Sequence, residues 1–388
     1  MSLGSDCREP MLRRQARGES VISTSLLPTW CIIGDVEFTY TARRDSSIME
    51  QVDLHRYEAT GVLGIGADYE ARAAVERDTG RQVVLKRPAP ETVRHRMHDG
   101  VEVRTDRLLQ GYREVGHAIP TVVPIVGYTE RANHDAYFGE TLDQTYRVFV
   151  EERASGIPLM GDLKARFTGV PIGVGQNLFA LFPLIPPAAT QPFVIHQQLL
   201  DLEEAFFQAG YVLLDLRPHN IFYQPATGRI TVIDCGALAD AHGVVSRRGA
   251  RPPGIHDFYL EMLKFYTTPQ LPPVQASGYR EPYGVRPVVN FEHELDQMAR
   301  HFRAVANSMV QEAGLAIVDQ VRRQAYTAFQ DFRRDLMAYL AAVHSMHQTL
   351  SHLTEARQAW TEALHWLRAD YWRRYRFSPE TELAGFTL

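Results

Sequence analysis

Residues 211–240 read YVLLDLRPHNIFYQPATGRITVIDCGALAD, and this stretch decides the fold. Its two apolar runs, IFY and RITVID, flank the turn sequence PATG, and this pattern predicts a tight β-hairpin. The hairpin would bring Asn220, which precedes the first strand, beside Asp234, which ends the second. Asp215 lies on the loop just before Asn220. An acid, an amide and a second acid are therefore expected to converge at one point.

Oxygen donors of this kind suit a hard cation. Carboxylate and amide oxygens are ligands that Mg²⁺ prefers, so Asn220 and Asp234 are candidate magnesium ligands. Asp and Asn are also common turn residues, and the spacing of Asp215 and Asn220 taken alone is better explained by an ordinary turn. The metal interpretation therefore depends on a second cluster.

The second cluster lies in the first quarter of the chain. Residues 56–87 contain three strand-like runs, and Asp78-Thr79-Gly80 between the second and third is a hairpin signal. The first run ends in Gly64-Ile65-Gly66, and Lys86 closes the apolar run VVLK. A glycine-rich hairpin can lay backbone N–H groups over phosphates because it has no Cβ atoms in the way. A lysine on the third strand can reach the same phosphates.

The rest of the chain divides into a strand-rich first part and a helical tail. A helix is predicted over residues 91–117, and strands over 122–129 and 146–152. Glycines and prolines then make residues 156–192 a long irregular segment. Apolar residues at heptad-like spacing predict helices throughout residues 290–376, packed as a bundle partly against the preceding part.

The composition is that of an ordinary globular protein, with 45% apolar residues, 22% charged residues and a net charge of -5. The slight acidity argues against a nucleic-acid-binding protein, which needs a basic surface. The longest apolar stretch, residues 178–189, is too short to span a bilayer and contains three prolines. Three cysteines cannot form a disulfide framework, and they indicate a reducing, cytoplasmic setting.

Four motifs of this sequence, in this order, resemble those of the protein-kinase superfamily. LGIGADYEARAAV resembles the glycine-rich loop, VVLK the third-strand lysine motif, LLDLRPHN the catalytic loop and DCG the metal-binding DFG. The resemblance covers residues 52–266. It implies an α+β, bilobal fold with a β-rich N-lobe, a helical C-lobe and a C-terminal helical extension.

The implied boundaries divide the chain into four regions. The regions are a leader with an extra strand at 1–50, an N-lobe at 51–153, a C-lobe at 154–285 that includes the loop 156–192, and the helical extension at 286–388.

The resemblance also implies catalytic roles. Lys86 would hold the α- and β-phosphates of ATP, and Glu114, or else Glu102, would orient Lys86. Asp215 would accept or position the proton of the acceptor hydroxyl. Arg217 stands where the family often has a lysine that contacts the γ-phosphate.

ATP and Mg²⁺ are the implied cofactors. Gly64 and Gly66 would contact the phosphates of ATP, and Asn220 and Asp234 would ligate Mg²⁺. Glu151, Glu152 and Arg153 would form the hinge whose backbone meets adenine, after a small Val150 at the gatekeeper position.

The sequence also departs from the family pattern. Tyr69 replaces the third glycine of the loop, Leu213-Leu214 replace the His-Arg before the catalytic Asp, and Cys235 replaces the Phe of DFG. No APE-like triplet follows, although Asp257 resembles the Asp that the family carries at its next helix. These changes indicate an atypical, compact kinase.

The expected function is an ATP- and Mg²⁺-dependent phosphotransferase that acts on a protein Ser/Thr hydroxyl. Two alternatives stay open: a kinase of small-molecule alcohols, and a pseudokinase that acts as a nucleotide-binding scaffold through a protein partner of residues 290–376. Retention of Lys86, Asp215, Asn220 and Asp234 favours catalysis, whereas the departures favour the scaffold.

Overall fold

The computed structural model describes residues 49–158, 194–214, 216, 220–224, 226–241, 254–265, 291–348, 375–378 and 381. Residues 1–48 of the predicted leader, most of the predicted loop 156–192, residues 349–374 of the predicted helical tail, Asp215 and Arg217 lie outside these residues. The chain divides into two units, Met1–Asp45 and Ser46–Leu388, and all of the described residues belong to the second unit.

A mixed six-stranded sheet forms the first part of the chain, with the strand order β1-β5-β6-β4-β3-β2. β1 runs parallel to β5, and the other neighbouring pairs are antiparallel. The strands are β1 (Glu50–Gln51), β2 (Tyr57–Ile65), β3 (Tyr69–Glu76), β4 (Gln82–Pro88), β5 (Ile125–Tyr128) and β6 (Phe149–Glu152).

The turn residues explain the two hairpins that build one half of the sheet. Gly80 has φ +71°, a left-handed conformation that glycine adopts at no steric cost, and it closes the β3–β4 hairpin at the predicted place. The three strands predicted between residues 56 and 87 are confirmed as β2, β3 and β4. β4 is buried along almost its whole length because the sheet has packed side chains on both faces.

The predicted helix over 91–117 is two helices, α1 (Pro90–Arg94) and α2 (Asp99–Glu114). Arg96 has φ +55°, and this left-handed residue ends α1 before α2 begins. The buried side chains of α2 recur every three or four residues, so that one stripe of the helix packs on the sheet. A third, short helix, α3 (Asp135–Phe138), lies between β5 and β6.

The second part of the chain is mainly helical. Its helices are α4 (Val194–Gln208), α5 (Ile255–Phe265), α6 (Phe291–Arg303), α7 (Ser308–Arg322) and α8 (Phe329–Gln348). Between α4 and α5 the described residues form four short strands, β8 (Tyr211–Leu213), β9 (Ile221–Gln224), β10 (Arg229–Val232) and β11 (Leu238–Asp240). β8 pairs with β11, and β9 pairs with β10 and with β7 (Ile157–Pro158). The hairpin predicted around PATG is confirmed by the β9–β10 pairing.

The helices after residue 290 pack against the part of the chain that precedes them. The ring of Tyr259 on α5 stacks on Phe332 of α8, with the ring centroids 4.0 Å apart. Phe258 stacks on Phe329 in the same way, at 6.4 Å. One continuous apolar core contains residues of α4 to α8. The predicted packing of the helical tail is therefore confirmed for α6 to α8.

The segment that joins β6 to β7, residues 153–156, is held by a distant piece of the chain. The backbone N–H of Gly156 donates to the carbonyl of Arg376 at 2.9 Å, and Ser155 forms a β-bridge with Arg376. Gly156 has φ +91°, and a Cβ atom there would lie 2.2 Å from the carbonyl oxygen of Tyr223. Glycine is therefore required at this connection.

The architecture is α+β, with a mixed six-stranded sheet followed by helices. Among the residues that the structure describes, none of the helices combines the length and the apolarity needed to cross a membrane.

Candidate functional site

The glycine-rich hairpin lies at the open edge of the six-stranded sheet. Among the described residues, a Cβ atom at Gly64 would meet nothing within 4 Å, and one at Gly66 would meet only the carbonyl oxygen of Tyr69, at 3.6 Å. Crowding by the protein's own atoms therefore does not require glycine at either position. The hairpin is suited to the close approach of a group from outside.

Strand register aligns this hairpin with the predicted lysine. Gly64 pairs with Ala71 on β3, and Ala71 pairs with Lys86 on β4. Neighbouring strands are about 4.8 Å apart, so Gly64 and Lys86 are two strands, or roughly 10 Å, from each other. An extended polyphosphate can bridge that distance.

Lys86 forms a buried ion pair with Glu151. Its Nζ lies 2.9 Å from Oε2 of Glu151, and the two side chains are only 7% and 2% exposed. The register of the two strands explains the contact. Lys86 is paired with Phe149, so their side chains lie on the same face of the sheet. Glu151 is two residues after Phe149, so its side chain points to that face as well. The Nζ of Lys86 also lies over the Phe149 ring, 5.7 Å from its centroid.

The electrostatic surroundings keep Lys86 charged. Burial has the largest influence and lowers the pKa of Lys86, but the negative charges of Glu151 and then of Asp234 outweigh it. The net effect is a pKa of Lys86 above its ordinary value. Asp234 therefore lies close enough to the ion pair to act on it.

The two glutamates of α2 that were expected to orient Lys86 are engaged elsewhere. Glu114 is exposed, and its carboxylate accepts hydrogen bonds from Tyr211 and Gln110. Glu102 is buried, and its carboxylate accepts the backbone N–H of Arg147 at 2.7 Å. The structure thus brings neither residue to Lys86. The interpretation that one of them pairs with Lys86 is corrected in favour of Glu151.

The predicted hinge residues also use their groups within the protein. Glu151 directs its side chain at Lys86. The backbone N–H of Glu152 donates to the Pro124 carbonyl at 2.8 Å, and that of Arg153 donates to the Gln82 carbonyl at 3.1 Å. Neither of these N–H groups is available to a base in this conformation, so adenine recognition by them is not supported by the structure.

Asp234 has an unusual backbone and an unsatisfied side chain. Its φ is +60°, a left-handed conformation that is uncommon for a residue with a side chain. Its Oδ1 is buried, with no hydrogen-bond partner among the described residues. Strained backbone and an unpaired carboxylate oxygen are costly features, and such features concentrate at functional sites.

The β9–β10 hairpin places Asn220 next to this aspartate. The carbonyl of Asn220 accepts the backbone N–H of Ile233 at 2.9 Å, so Asn220 faces the residue that precedes Asp234. Asn220 is buried. The described residues contain no group of three or more His, Cys, Asp or Glu side chains that would hold a metal ion. A cation here would be held by Asn220 and Asp234, and the unpaired Oδ1 of Asp234 fits that role.

The turn that contains Asp234 is pressed against α2. A Cβ atom at Gly236 would lie 3.1 Å from Cδ1 of Leu108 on α2, so the backbone of the turn lies close to the helix. The neighbouring Cys235 is also enclosed, and burial raises the pKa of its thiol. A small cavity lies behind the ion pair, between α2 and the sheet, and Leu108, Glu151 and Cys235 are among its lining residues.

Tyr69 and Asp68 tie the glycine-rich hairpin to α2. The hydroxyl of Tyr69 is 2.9 Å from Oγ1 of Thr105, and the Tyr69 ring meets Phe149 edge-on at 5.5 Å. Asp68 forms an ion pair with Arg104 of α2. The bulky residue at the position of the third glycine therefore anchors the base of the hairpin.

Sequence reasoning missed the pairing of Glu151 with Lys86. The alternation of side chains along β6 carried a signal for it, because Glu151 and Phe149 must share a face. Comparison with known proteins adds no assignment: no protein-family model matches the chain, and no curated protein is significantly similar to it.

Proposed function

We propose that this protein is an ATP- and Mg²⁺-dependent phosphotransferase of the protein-kinase type, with the six-stranded sheet as its N-lobe, α4 and α5 in its C-lobe and α6 to α8 in its C-terminal helical extension. The observation that carries the proposal is the buried ion pair of Lys86 and Glu151, aligned with the glycine-rich hairpin and acted on by the charge of Asp234. A protonated lysine and an unpaired carboxylate beside open backbone suit a polyphosphate with its metal ion.

Each residue has a role in this proposal. Lys86 holds the α- and β-phosphates, and the hairpin at Gly64 and Gly66 covers them. Asn220 and Asp234 hold Mg²⁺, which neutralises phosphate charge when it is bound. Phosphoryl transfer needs positioning and charge neutralisation more than covalent help, and these residues supply both.

The acceptor side of the reaction rests on residues outside the described part of the chain. Asp215 accepts or positions the proton of the acceptor hydroxyl, and Arg217 contacts the γ-phosphate. The proposed acceptor is a Ser or Thr hydroxyl of a protein, and the alternative is a small-molecule alcohol. Asp257, which resembles the Asp that the family carries at its next helix, lies in the first turn of α5 and accepts the backbone N–H of Gly254 at 2.7 Å.

A nucleotide-binding scaffold is the second candidate. It is favoured by the departures from the family pattern, Tyr69 in place of the third glycine, Leu213-Leu214 in place of His-Arg and the lack of an APE-like triplet. The scaffold would bind nucleotide and would signal to a protein partner through the helical tail, without turnover.

A phosphotransfer screen distinguishes these candidates. Labelled ATP is offered with Mg²⁺ to the full chain together with lysate proteins or with small alcohols. The same reactions are run with Lys86→Met and Asp234→Asn, and with Asp143→Asn as a control at an exposed aspartate of similar backbone conformation. We expect label transfer by the wild type and the control only. Mg²⁺-dependent binding of ATP without transfer to any acceptor would favour the scaffold, and absence of binding would refute both.

A further inference from the structure

The partner of Lys86 lies in the same sheet as the lysine itself. Lys86 is on β4 and Glu151 is on β6, and these neighbouring strands are joined by the pairs Val84–Glu151 and Lys86–Phe149. The distance from Nζ to Oε2 is 2.9 Å. It is therefore set by the geometry of one antiparallel strand pair, which is rigid, and not by the position of a helix.

The acidic residues of α2 are committed to other contacts that hold the helix in place. Glu102 accepts the backbone N–H of Arg147, Asp106 pairs with the Arg147 side chain, and Glu114 contacts Tyr211. These contacts fix α2 against β6 and β8. Lys86 is therefore oriented by a residue of the sheet, Glu151, and not by a residue of α2.

Because the ion pair is buried, its loss would affect the charge state of Lys86. Both side chains are more than nine-tenths buried, so that a lysine without a partner would be disfavoured as a cation. A lysine that lost its charge or its position could not bind the phosphates in the same way. Glu151 therefore orients Lys86 and, together with Asp234, supports its charge.

We propose that Glu151 is the positioning residue for Lys86, supplied from strand β6, and that the orientation of Lys86 is consequently set within the sheet and not by the position of α2. This inference rests on the proposed function of the site. It also implies a form of regulation: a partner that shifts α2 would not switch the lysine on or off.

The test compares four substitutions in the full-length protein. Glu151→Gln removes the charge at nearly constant volume, and Glu151→Asp keeps the charge on a shorter side chain. Glu76→Gln is the matched control, because Glu76 is also a buried glutamate in ion pairs, with Arg56 and Arg81, at the far end of β3. Glu114→Gln tests the rival assignment of a helix partner.

Two readouts separate positioning from folding. The first is kcat and KM for Mg²⁺-dependent phosphotransfer from ATP. We expect Glu151→Gln to lower kcat at least tenfold, Glu151→Asp to recover part of that loss, and Glu76→Gln to leave kcat within a factor of about two. A larger loss with Glu114→Gln than with Glu151→Gln would overturn the proposal. A gain in ATP affinity and turnover with Glu151→Gln would also overturn it, because Glu151 would then compete with the nucleotide for Lys86.

The second readout does not depend on turnover. The rate at which a small amine-directed acylating reagent modifies Lys86 is measured by mass spectrometry across a range of pH. Loss of the carboxylate should shift this profile to lower pH in Glu151→Gln and leave it in place in Glu76→Gln. An unshifted profile would mean that Glu151 does not hold Lys86. A shifted profile in a protein that binds no ATP would leave the ion pair standing but would refute the proposed function, and with it the role of Glu151 towards phosphate.

Discussion

Replacing Asp234 with glycine is expected to stabilise the ligand-free protein and to abolish its stabilisation by Mg²⁺ and ATP. The substitution removes a side chain whose Oδ1 is buried and unpaired among the described residues. It also places the one residue without a Cβ atom at a backbone φ of +60°. Both changes remove a cost that the wild type carries in the absence of ligand.

The size of the effect follows from those two costs. A left-handed backbone costs a residue with a Cβ atom roughly 1–2 kcal/mol, and a buried unpaired polar atom costs about 1–3 kcal/mol. Against these gains, glycine makes the unfolded chain more flexible at a cost of roughly 0.5–1 kcal/mol, and Lys86 loses the attraction of Asp234. Because Lys86 keeps Glu151, we expect a net gain of about 1–2 kcal/mol.

The assay is chemical denaturation of the wild type and the variant, each without ligand and with Mg²⁺ and ATP. A ligand that binds only the folded state adds about 2.7 kcal/mol at a concentration one hundred times its Kd. The order of stability should therefore reverse, because the variant is the more stable protein without ligand and the wild type is the more stable one with it. Asp143→Gly is the control: Asp143 is exposed at φ +52°, so this variant relieves backbone strain without touching the site. If Asp234→Gly is less stable than the wild type without ligand, or gains as much from Mg²⁺ and ATP, the reasoning about Asp234 is refuted.

Three further predictions concern the scaffold around the site. Glu203 is fully buried beneath β8, where its carboxyl accepts the backbone N–H of Leu213, and burial raises its pKa. The wild type should therefore lose stability as pH rises above about 5, where the unfolded glutamate ionises, and the stability advantage of Glu203→Gln over the wild type should grow in the same direction; a difference in stability that does not change with pH would contradict this prediction. Gly156→Ala should destabilise the protein by at least about 2 kcal/mol in denaturant melts, and clearly more than Gly80→Ala, whose Cβ atom would meet nothing within 4 Å among the described residues. Phe332→Ala should cost about 3–5 kcal/mol if α8 belongs to the core, and a cost below 1 kcal/mol would mean that it does not.

The local parts of the fold could be predicted because turn chemistry acts over a few residues. Gly80 and Gly228, both at positive φ, close hairpins that the sequence marks by Asp-Thr-Gly and Pro-Ala-Thr-Gly. The alignment of the glycine-rich hairpin with Lys86 follows from consecutive antiparallel strands. The packing of the helical tail follows from its apolar stripes, which need a surface to cover them.

The partner of Lys86 could not be predicted because it depends on a pairing between distant strands. The acidic residues of α2 lie on a helix at the place where the family resemblance predicts the partner of Lys86. Glu114, however, lies at the end of this helix and contacts Tyr211. The register of β4 against β6 decides the outcome instead, and no local pattern specifies that register. The same strand pairing places the backbone N–H of Arg153 in a hydrogen bond with the Gln82 carbonyl, so this N–H cannot bind adenine as the predicted hinge requires.

The contact of Gly156 with Arg376 has a consequence for the order in which the protein assembles. The connection between the sheet and the helices is synthesised first, and the strand-like bridge that holds it comes from a segment that lies 220 residues further along the chain. The ring of Tyr375 meets Phe222 in the same place, so this late segment also touches the β9–β10 hairpin. In a nascent chain that ended before residue 375, the connection at residues 153–156 would lack its contacts with Arg376. The connection would then be fixed only after the segment that contains Arg376 has been synthesised.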